Sequence, residues 1–425
     1  MAASYTSPLA EQLAPGLLER FLRYVRVDTQ SSRESGTLPS TPGQLDLGRM
    51  LVEELLELGL TDATIDDGGY VMATLPANGP DAADAPVVGL IAHVDVSPDA
   101  PGAGVEPLVH RDYDGGPITL PRGGTVLSPT AMPELRAVVG HDLVTSSGDT
   151  LLGADDKAGV AEVMTAVAHL VANPELPRPT LRVGFTVDEE IGQGGIHFDV
   201  ERFGARCAYT LDGSELGELQ DETFTAAEAV LTIDGIEVHP GFATGKLVNA
   251  ARLAAQVLAA LPSDTLTPET TSGREGFIHP HEVEATPARA KVTFIVRDFE
   301  DELLDQHVAL LRTTVEQVLA REPRASWSLD VQAQYPNMRD HLRAVPEVVA
   351  HAEAALRAEG IEPVRTPIRG GTDGSLLSAR GLPTPNLFTG GHEYHSVREW
   401  ASLHEMAAAA ATVVRLAGEW AGEPR

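Results

Sequence analysis

Short apolar runs that stop at acidic or imidazole residues recur along this chain. The clearest is Ala85-Pro-Val-Val-Gly-Leu-Ile-Ala-His93-Val-Asp95-Val. Its branched aliphatics and its brevity predict a buried strand. Leu181–Val187 is a second run, ending at Asp188-Glu189-Glu190, and Cys207–Leu211 a third, ending at Asp212-Gly213. Shorter strands are expected at Ala63–Ile65, Val71–Leu75 and Pro385–Phe388. Apolar positions at helical spacing predict helices over Pro15–Val27, Gly43–Leu60, Ala158–Ala172, Val345–Glu359 and Leu403–Ala417. Strands alternating with helices imply an α/β sheet that is at least partly parallel.

The pattern changes in the middle of the chain. Strands are expected at Ala227–Ile233, Ala290–Arg297 and Trp327–Gln334, and helices at Lys246–Ala260 and Glu300–Ala320. Two helices against a small sheet form an α+β unit, after which α/β character returns. The expected division is therefore one α/β domain from residues 1–222 and 337–425, interrupted by a smaller α+β domain over 223–336. Pro98–Gly140 is rich in proline and glycine and lies between two candidate ligand clusters, so it reads as an ordered surround rather than a linker.

Composition narrows the partners. Among 425 residues, 62 acids oppose 31 lysines and arginines, for a formal charge of −31. Nucleic acid and anionic membrane are poor partners for such a surface. Cys207 is the single cysteine, which rules out an internal disulfide and a cysteine-based metal site. That usage fits a reducing cytoplasm. The opening Met-Ala-Ala-Ser-Tyr-Thr-Ser-Pro has neither the basic start nor the apolar core of a signal peptide. No stretch approaches the roughly 20 apolar residues of a membrane span.

The chemistry gathers at the ends of the runs. Residues two apart on a strand share a face, so His93 and Asp95 aim at one point. Asp155-Asp156 leads into a helix, where carboxylates alone would serve as caps. Gly153 and Gly159 flank the pair and imply a close backbone approach. Three consecutive acids, Asp188 to Glu190, repel one another unless a cation or protons compensate. Asp212 ends a strand, and His395 follows the glycine loop in Gly390-Gly-His392-Glu-Tyr-His395. Sites in open α/β sheets collect outside the carboxyl ends of the strands. Imidazoles and carboxylates, without thiolates and in excess of what one zinc needs, favour two metals sharing a carboxylate. Glu189 beside Glu190 suits a division of labour in which one acid ligates and the other moves a proton.

These motifs, with Thr150–Gly159, Val238-His-Pro-Gly, Val296-Arg-Asp-Phe and Ile368-Arg-Gly-Gly-Thr-Asp-Gly, resemble the M20 dizinc metallopeptidases, and most closely their tripeptide aminopeptidase branch. The resemblance runs from about Leu17 to the final helix. It implies an α/β zinc-peptidase domain with an inserted α+β lid that makes a homodimer. It implies that His93 and Asp212 bind one zinc, that Glu190 and His395 bind the other, and that Asp155 bridges both. Asp95 would support His93 or the ligand set around it, and Glu189 would be the general base. His239, a lid histidine often supplied by the second subunit, would stabilise the tetrahedral oxyanion. Arg297, Asn249 and the Arg369-Gly370-Gly371 loop would hold a substrate carboxylate. The same ligands accept cobalt or manganese. His392 departs from the family pattern and is read as a decoy for His395. The implied activity is release of the N-terminal residue from tripeptides in the cytoplasm. The alternatives are another M20 amidohydrolase, acting on dipeptides or N-acyl amino acids, and a non-catalytic peptide binder, which would have no need of Glu189. Gly192-Gln-Gly-Gly195 is no dinucleotide fingerprint, and no P-loop pattern occurs.

Overall fold

Four parallel strands, Leu181–Thr186, Val88–His93, Cys207–Gly213 and Asn386–Phe388, lie side by side at the centre of the larger of two structural units. The computed structural model describes residues 4–79 and 84–422, so the first three residues of the segment read for a signal peptide lie outside it. The larger unit comprises Met1–Asp221, Asp340–Thr366 and Thr372–Arg425, and the smaller one Glu222–Arg339 with Pro367–Gly371.

The central strands are buried on both faces, as their unbroken apolar runs require. Short strands extend the sheet to eight, with antiparallel Thr64–Ile65 and Val71–Leu75 at one edge and Glu218–Gln220 and Val364–Arg365 at the other. The helix Ala154–Ala172 packs on Val88–His93 and Cys207–Gly213, and Pro8–Tyr24 and Leu403–Trp420 pack on that helix. Gly89 is obligatory here, because a Cβ would lie 2.5 Å from the Phe203 ring. All four central strands are parallel, so His93, Asp188 and Asp212 emerge at the same end of the sheet.

A second, antiparallel sheet was not foreseen. It orders Gly391–His392, Trp400–Ser402, Leu143–Thr145 and Leu108–His110. Its strands have two or three residues each, too short to show a period in sequence. They bring the Pro98–Gly140 region into register with the C-terminal loop.

The smaller unit is one antiparallel sheet ordered Phe277–Ala285, Arg289–Asp298, Thr225–Asp234 and Ser326–Tyr335, with helices Ala250–Ala260 and Asp301–Leu319 packed on it. Thr225–Asp234 alternates buried and half-buried positions along most of its length, as a strand with one covered face must. The edge strand Phe277–Ala285 escaped the sequence reading. It is mostly exposed and carries Pro280, which an edge tolerates because no ladder donor is needed there. Ile368 also pairs with this unit through its N–H to Glu222 O and Phe224 N–H to its own carbonyl. That pairing is why Pro367–Gly371 joins the insert, which a contiguous 223–336 domain did not anticipate.

Two helix starts differ from expectation. The first helix is Pro8–Tyr24, not Pro15–Val27, because Ser7 caps it through the Ala10 N–H and Pro8 fills the first turn. The helix expected from Lys246 begins at Ala250, where the Asn249 side chain accepts the Arg252 N–H.

Candidate metal centre

His93 ends its strand with a ring only 3% exposed. Its Nε2 lies 3.0 Å from Asp155 Oδ1, 3.6 Å from Asp212 Oδ1 and 4.0 Å from Glu189 Oε2. Nδ1 faces Asp95, at 3.1 Å from its carbonyl oxygen and 3.4 Å from Oδ1. On the other side of Asp155, His395 Nε2 lies 3.3 Å from Asp155 Oδ2 and 2.9 Å from Glu190 Oε2. Asp155 therefore offers one oxygen to each imidazole.

The adjacent acids of each pair diverge. Asp155 and Asp156 are joined by a cis peptide, with neither in helical conformation. Asp156 turns into the protein, where Oδ2 accepts the His93 N–H and Oδ1 the Gly159 N–H. A Cβ on Gly159 would lie 2.0 Å from Leu211 O, so the helix can approach the Asp212 strand this closely only with glycine there. The second acid is thus a support for the His93 backbone, and the first faces the centre.

Asp188 has a left-handed φ of +56° and turns the chain so that Glu189 and Glu190 follow. Its buried carboxylate accepts the Ser40 N–H, the Ser40 hydroxyl and the Gln44 side-chain amide, and Gln44 Oε1 accepts the Asp188 N–H. Asp212 is steadied by its N–H to Asn386 Oδ1 at 2.9 Å and by the Thr372 hydroxyl at 3.3 Å from Oδ2. Next to Thr372, Asp373 accepts the Thr186 hydroxyl at 2.6 Å. The Arg-Gly-Gly-Thr-Asp-Gly motif is therefore divided: Thr372 and Asp373 support the centre, while Arg369 to Gly371 belong to the smaller unit.

Charge crowding sets the protonation of these groups. Burial pulls the His93 imidazole down, but its bonds to Asp155, Asp212 and Asp95 outweigh that and hold its pKa well above the ordinary value. Bonds to Asp155 and Glu190 raise His395 to about 11. Burial opposes ionisation of Asp155, yet the two imidazoles win and lower its pKa. Burial, with Asp155 beside it, pushes Glu190 up to about 8. Burial also raises Glu189, which feels Asp212, Asp373 and Glu190 as well. Burial brings Lys157 down to about 8 despite nearby acids, and its ammonium donates to Val27 O at 2.8 Å.

Two donor groups result, His93 with Asp155 and Asp212, and Asp155 with Glu190 and His395, each with ligand atoms within 4.8 Å of one another. The buried Glu190 Oε1 has no hydrogen-bond partner among the described residues. Imidazole and carboxylate donors, a shared carboxylate and an orphaned oxygen fit divalent cations.

Other sequence candidates fall elsewhere. His392 stacks on Trp400 and bonds Glu405 at 2.9 Å, so it is occupied within the second sheet. His239, in the smaller unit, is exposed and accepts the Gly241 N–H at Nδ1. Arg297 is buried, donating to Ala227 O, Val296 O and Gln334 Oε1. Arg369 spends its terminal N–H groups on Gly273 O, Glu275 O and Thr271, so the fork expected to meet a carboxylate is filled. Gly371 lets the loop pass the Tyr335 ring, 2.5 Å from where a Cβ would sit. Gly370 lies beside it, and Asn249 is the helix cap described above. Sequence reasoning missed Asp99, which faces His395 Nδ1 at 3.4 Å and is held by Arg33, and Glu399. Neither stands in a periodic pattern, and proximity to His395 in sequence was the only signal for Glu399.

Residues 222–323 match the family model for the peptidase dimerisation domain. A peptidase T from Vibrio parahaemolyticus is 47% identical over 401 residues, covering 94% of this chain and 97% of the relative. Among solved structures, aminopeptidase PepT from Bacillus cereus superposes with a TM-score of 0.73 at 25% identity, covering 96% of this chain and 99% of that one. The Bacillus subtilis YXEP protein, a dinuclear metal-binding peptidase of the M20 family, gives 0.62 at 14% identity over 96% of this chain and 98% of its own.

Proposed function

Because this chain belongs to the peptidase T family, we propose that it is a metal-dependent aminopeptidase that releases the N-terminal residue of tripeptides. The observation that carries the reading is Asp155, one carboxylate facing two imidazoles, with the unligated acid Glu189 alongside. We assign two zinc ions per subunit. His93 and Asp212 would hold one, Glu190 and His395 the other, and Asp155 both. Bound there, the ions would supply Lewis acidity, lowering the pKa of water and polarising the scissile carbonyl.

The chain's own residues do the rest. Asp95 fixes the backbone beneath Glu189, and burial raises the affinity of Glu189 for a proton. Glu189 accepts the proton of the attacking water and passes it to the leaving amine. His239 accepts a backbone N–H at Nδ1, so its neutral tautomer carries the proton on Nε2. That tautomer is a hydrogen-bond donor suited to an oxyanion. Arg297 is proposed as the partner of the substrate carboxylate, for which it would exchange its bond to Gln334 Oε1. We assign a homodimer formed through the inserted domain, in keeping with the family model that matches it. A cytoplasmic setting agrees with a lone cysteine, Cys207, that is buried. No described helix is long and apolar enough to cross a membrane.

The test is a matched series of one sequence: dipeptide, tripeptide, tetrapeptide and N-acetylated tripeptide, each with zinc-loaded and chelated protein. Release of only the N-terminal residue from the free tripeptide, lost on chelation, is the expected result. Preference for the dipeptide or the blocked peptide would move the protein to another M20 amidohydrolase activity.

A further inference from the structure

Glu399 is fully buried and lies outside the ligand set. Its Oε2 accepts the N–H groups of Leu152 and Gly153 at 2.7 and 2.8 Å, and its Oε1 accepts that of Asp155 at 3.1 Å. One side chain thus gathers the backbone donors of the turn that delivers Asp155. A buried carboxylate is costly unless it is bonded this fully. The Lys157 ammonium, also buried, adds an attractive charge.

Glu399 is itself tied to the other half of the centre. It follows His395 on the same loop, and its neighbour Trp400 opens the strand that pairs with Leu143–Thr145, Trp400 lying opposite Thr145. The Leu143–Thr145 strand runs on into the turn that ends at Asp155. Two segments carrying candidate ligands are therefore joined by strand pairing at one end and by the Glu399 carboxylate at the other. Asp155 faces both imidazoles, so a shift of its backbone would disturb both donor groups together.

We infer that Glu399 is a positioning residue for metal uptake, clamping the Asp155 turn against the His395 loop so that one carboxylate can serve both ion positions. The inference rests on the proposed role of Asp155 as the shared ligand. Glu399→Gln preserves size but leaves one acceptor oxygen for the three N–H groups. Zinc affinity of metal-stripped protein is measured by chelator competition, together with the melting of the stripped protein and kcat at saturating zinc. The expected result is a loss of zinc affinity of about 10–100-fold, in the range of other residues that orient metal ligands. The stripped protein should still melt cooperatively, and saturating zinc should restore most of kcat, which a role in the chemical step would not allow. Glu399→Asp keeps the charge but withdraws the carboxylate, and is expected to lose affinity too; it decides the matter if the glutamine variant does not fold. Wild-type zinc affinity in either folded variant overturns the inference. Asp155→Asn separates it from its premise. Unchanged zinc binding in Asp155→Asn would defeat the shared-ligand reading, whereas loss there with wild-type binding in the Glu399 variants would defeat only the clamp.

Discussion

Asp95 Oδ1 accepts the backbone N–H of Glu189 at 3.0 Å, while its Oδ2 takes that of Glu190 at 3.2 Å. The same residue faces His93 Nδ1 through its carbonyl and carboxylate. Asp95 therefore sets the orientation of the candidate ligand His93 and the placement of the neighbouring acids at once. In Asp95→Asn, an amide nitrogen must point at one of those N–H groups. The expected outcome is a fall in kcat/KM of about 10–100-fold, as for other residues that orient metal ligands. Steady-state kinetics on a tripeptide at saturating zinc provides the check. Undiminished kcat/KM would mean the backbone holds the acids without help.

Glu189 and Glu190 are neighbours with different surroundings. Glu190 Oε2 is 2.9 Å from His395, while the nearest contact of Glu189 with an imidazole is 4.0 Å. Glu189→Gln should keep its metal and lose about 10²–10⁴-fold in kcat, the usual cost of removing a general base. Glu190→Gln should instead lose metal. Metal analysis of purified variants alongside kcat distinguishes the two, and equal metal loss in both would remove the basis for assigning the base to Glu189.

The pair His392 and His395 gives a sharper contrast, since only three positions separate them. The His392 ring is stacked at 4.0 Å on Trp400 and bonded to Glu405. His395, with φ of +58°, is turned toward Asp155 and Glu190. His392→Gln should lower the melting temperature while leaving zinc stoichiometry intact. His395→Gln should reduce zinc stoichiometry with little change in the melting of the stripped protein. Loss of zinc from the His392 variant would exchange their roles.

Much of the candidate centre was legible because apolar runs stop at acidic or imidazole residues: at His93 and Asp212 themselves, and at Asp188, which leads into Glu189 and Glu190. The parallel order of the strands then places those ends together, as alternating strands and helices imply. What the sequence concealed depends on tertiary contacts alone. Gln44 and Ser40 look like ordinary helix-start residues, yet they cage Asp188. Arg369 reads as a carboxylate anchor until its donors are seen to be filled by loop carbonyls. The edge strand Phe277–Ala285 has one buried residue and so almost no hydrophobic pattern. The outer tiers that hold ligands and the edges of sheets carry the least periodicity, and both were found only in three dimensions.

Metal uptake should release protons. Without metal, His395 is held up to about 11 by Asp155 and Glu190, Glu190 is pushed up to about 8 by burial, and His93 is held well above its ordinary value. At pH 7 both imidazoles favour their protonated forms, and burial resists ionisation of Glu190. Metal ligands must be deprotonated, so each group gives up its proton when an ion binds. Because these groups hold protons at neutral pH, protons compete with metal there and zinc affinity rises as pH rises. Each proton released adds about tenfold in affinity per pH unit, the equivalent of roughly 1.4 kcal/mol. Titration calorimetry of zinc into stripped protein, repeated in buffers of different ionisation enthalpy, counts the protons directly. Heats independent of buffer would show that the imidazoles are already neutral before metal arrives, and that the acids around them hold them less firmly than their distances imply.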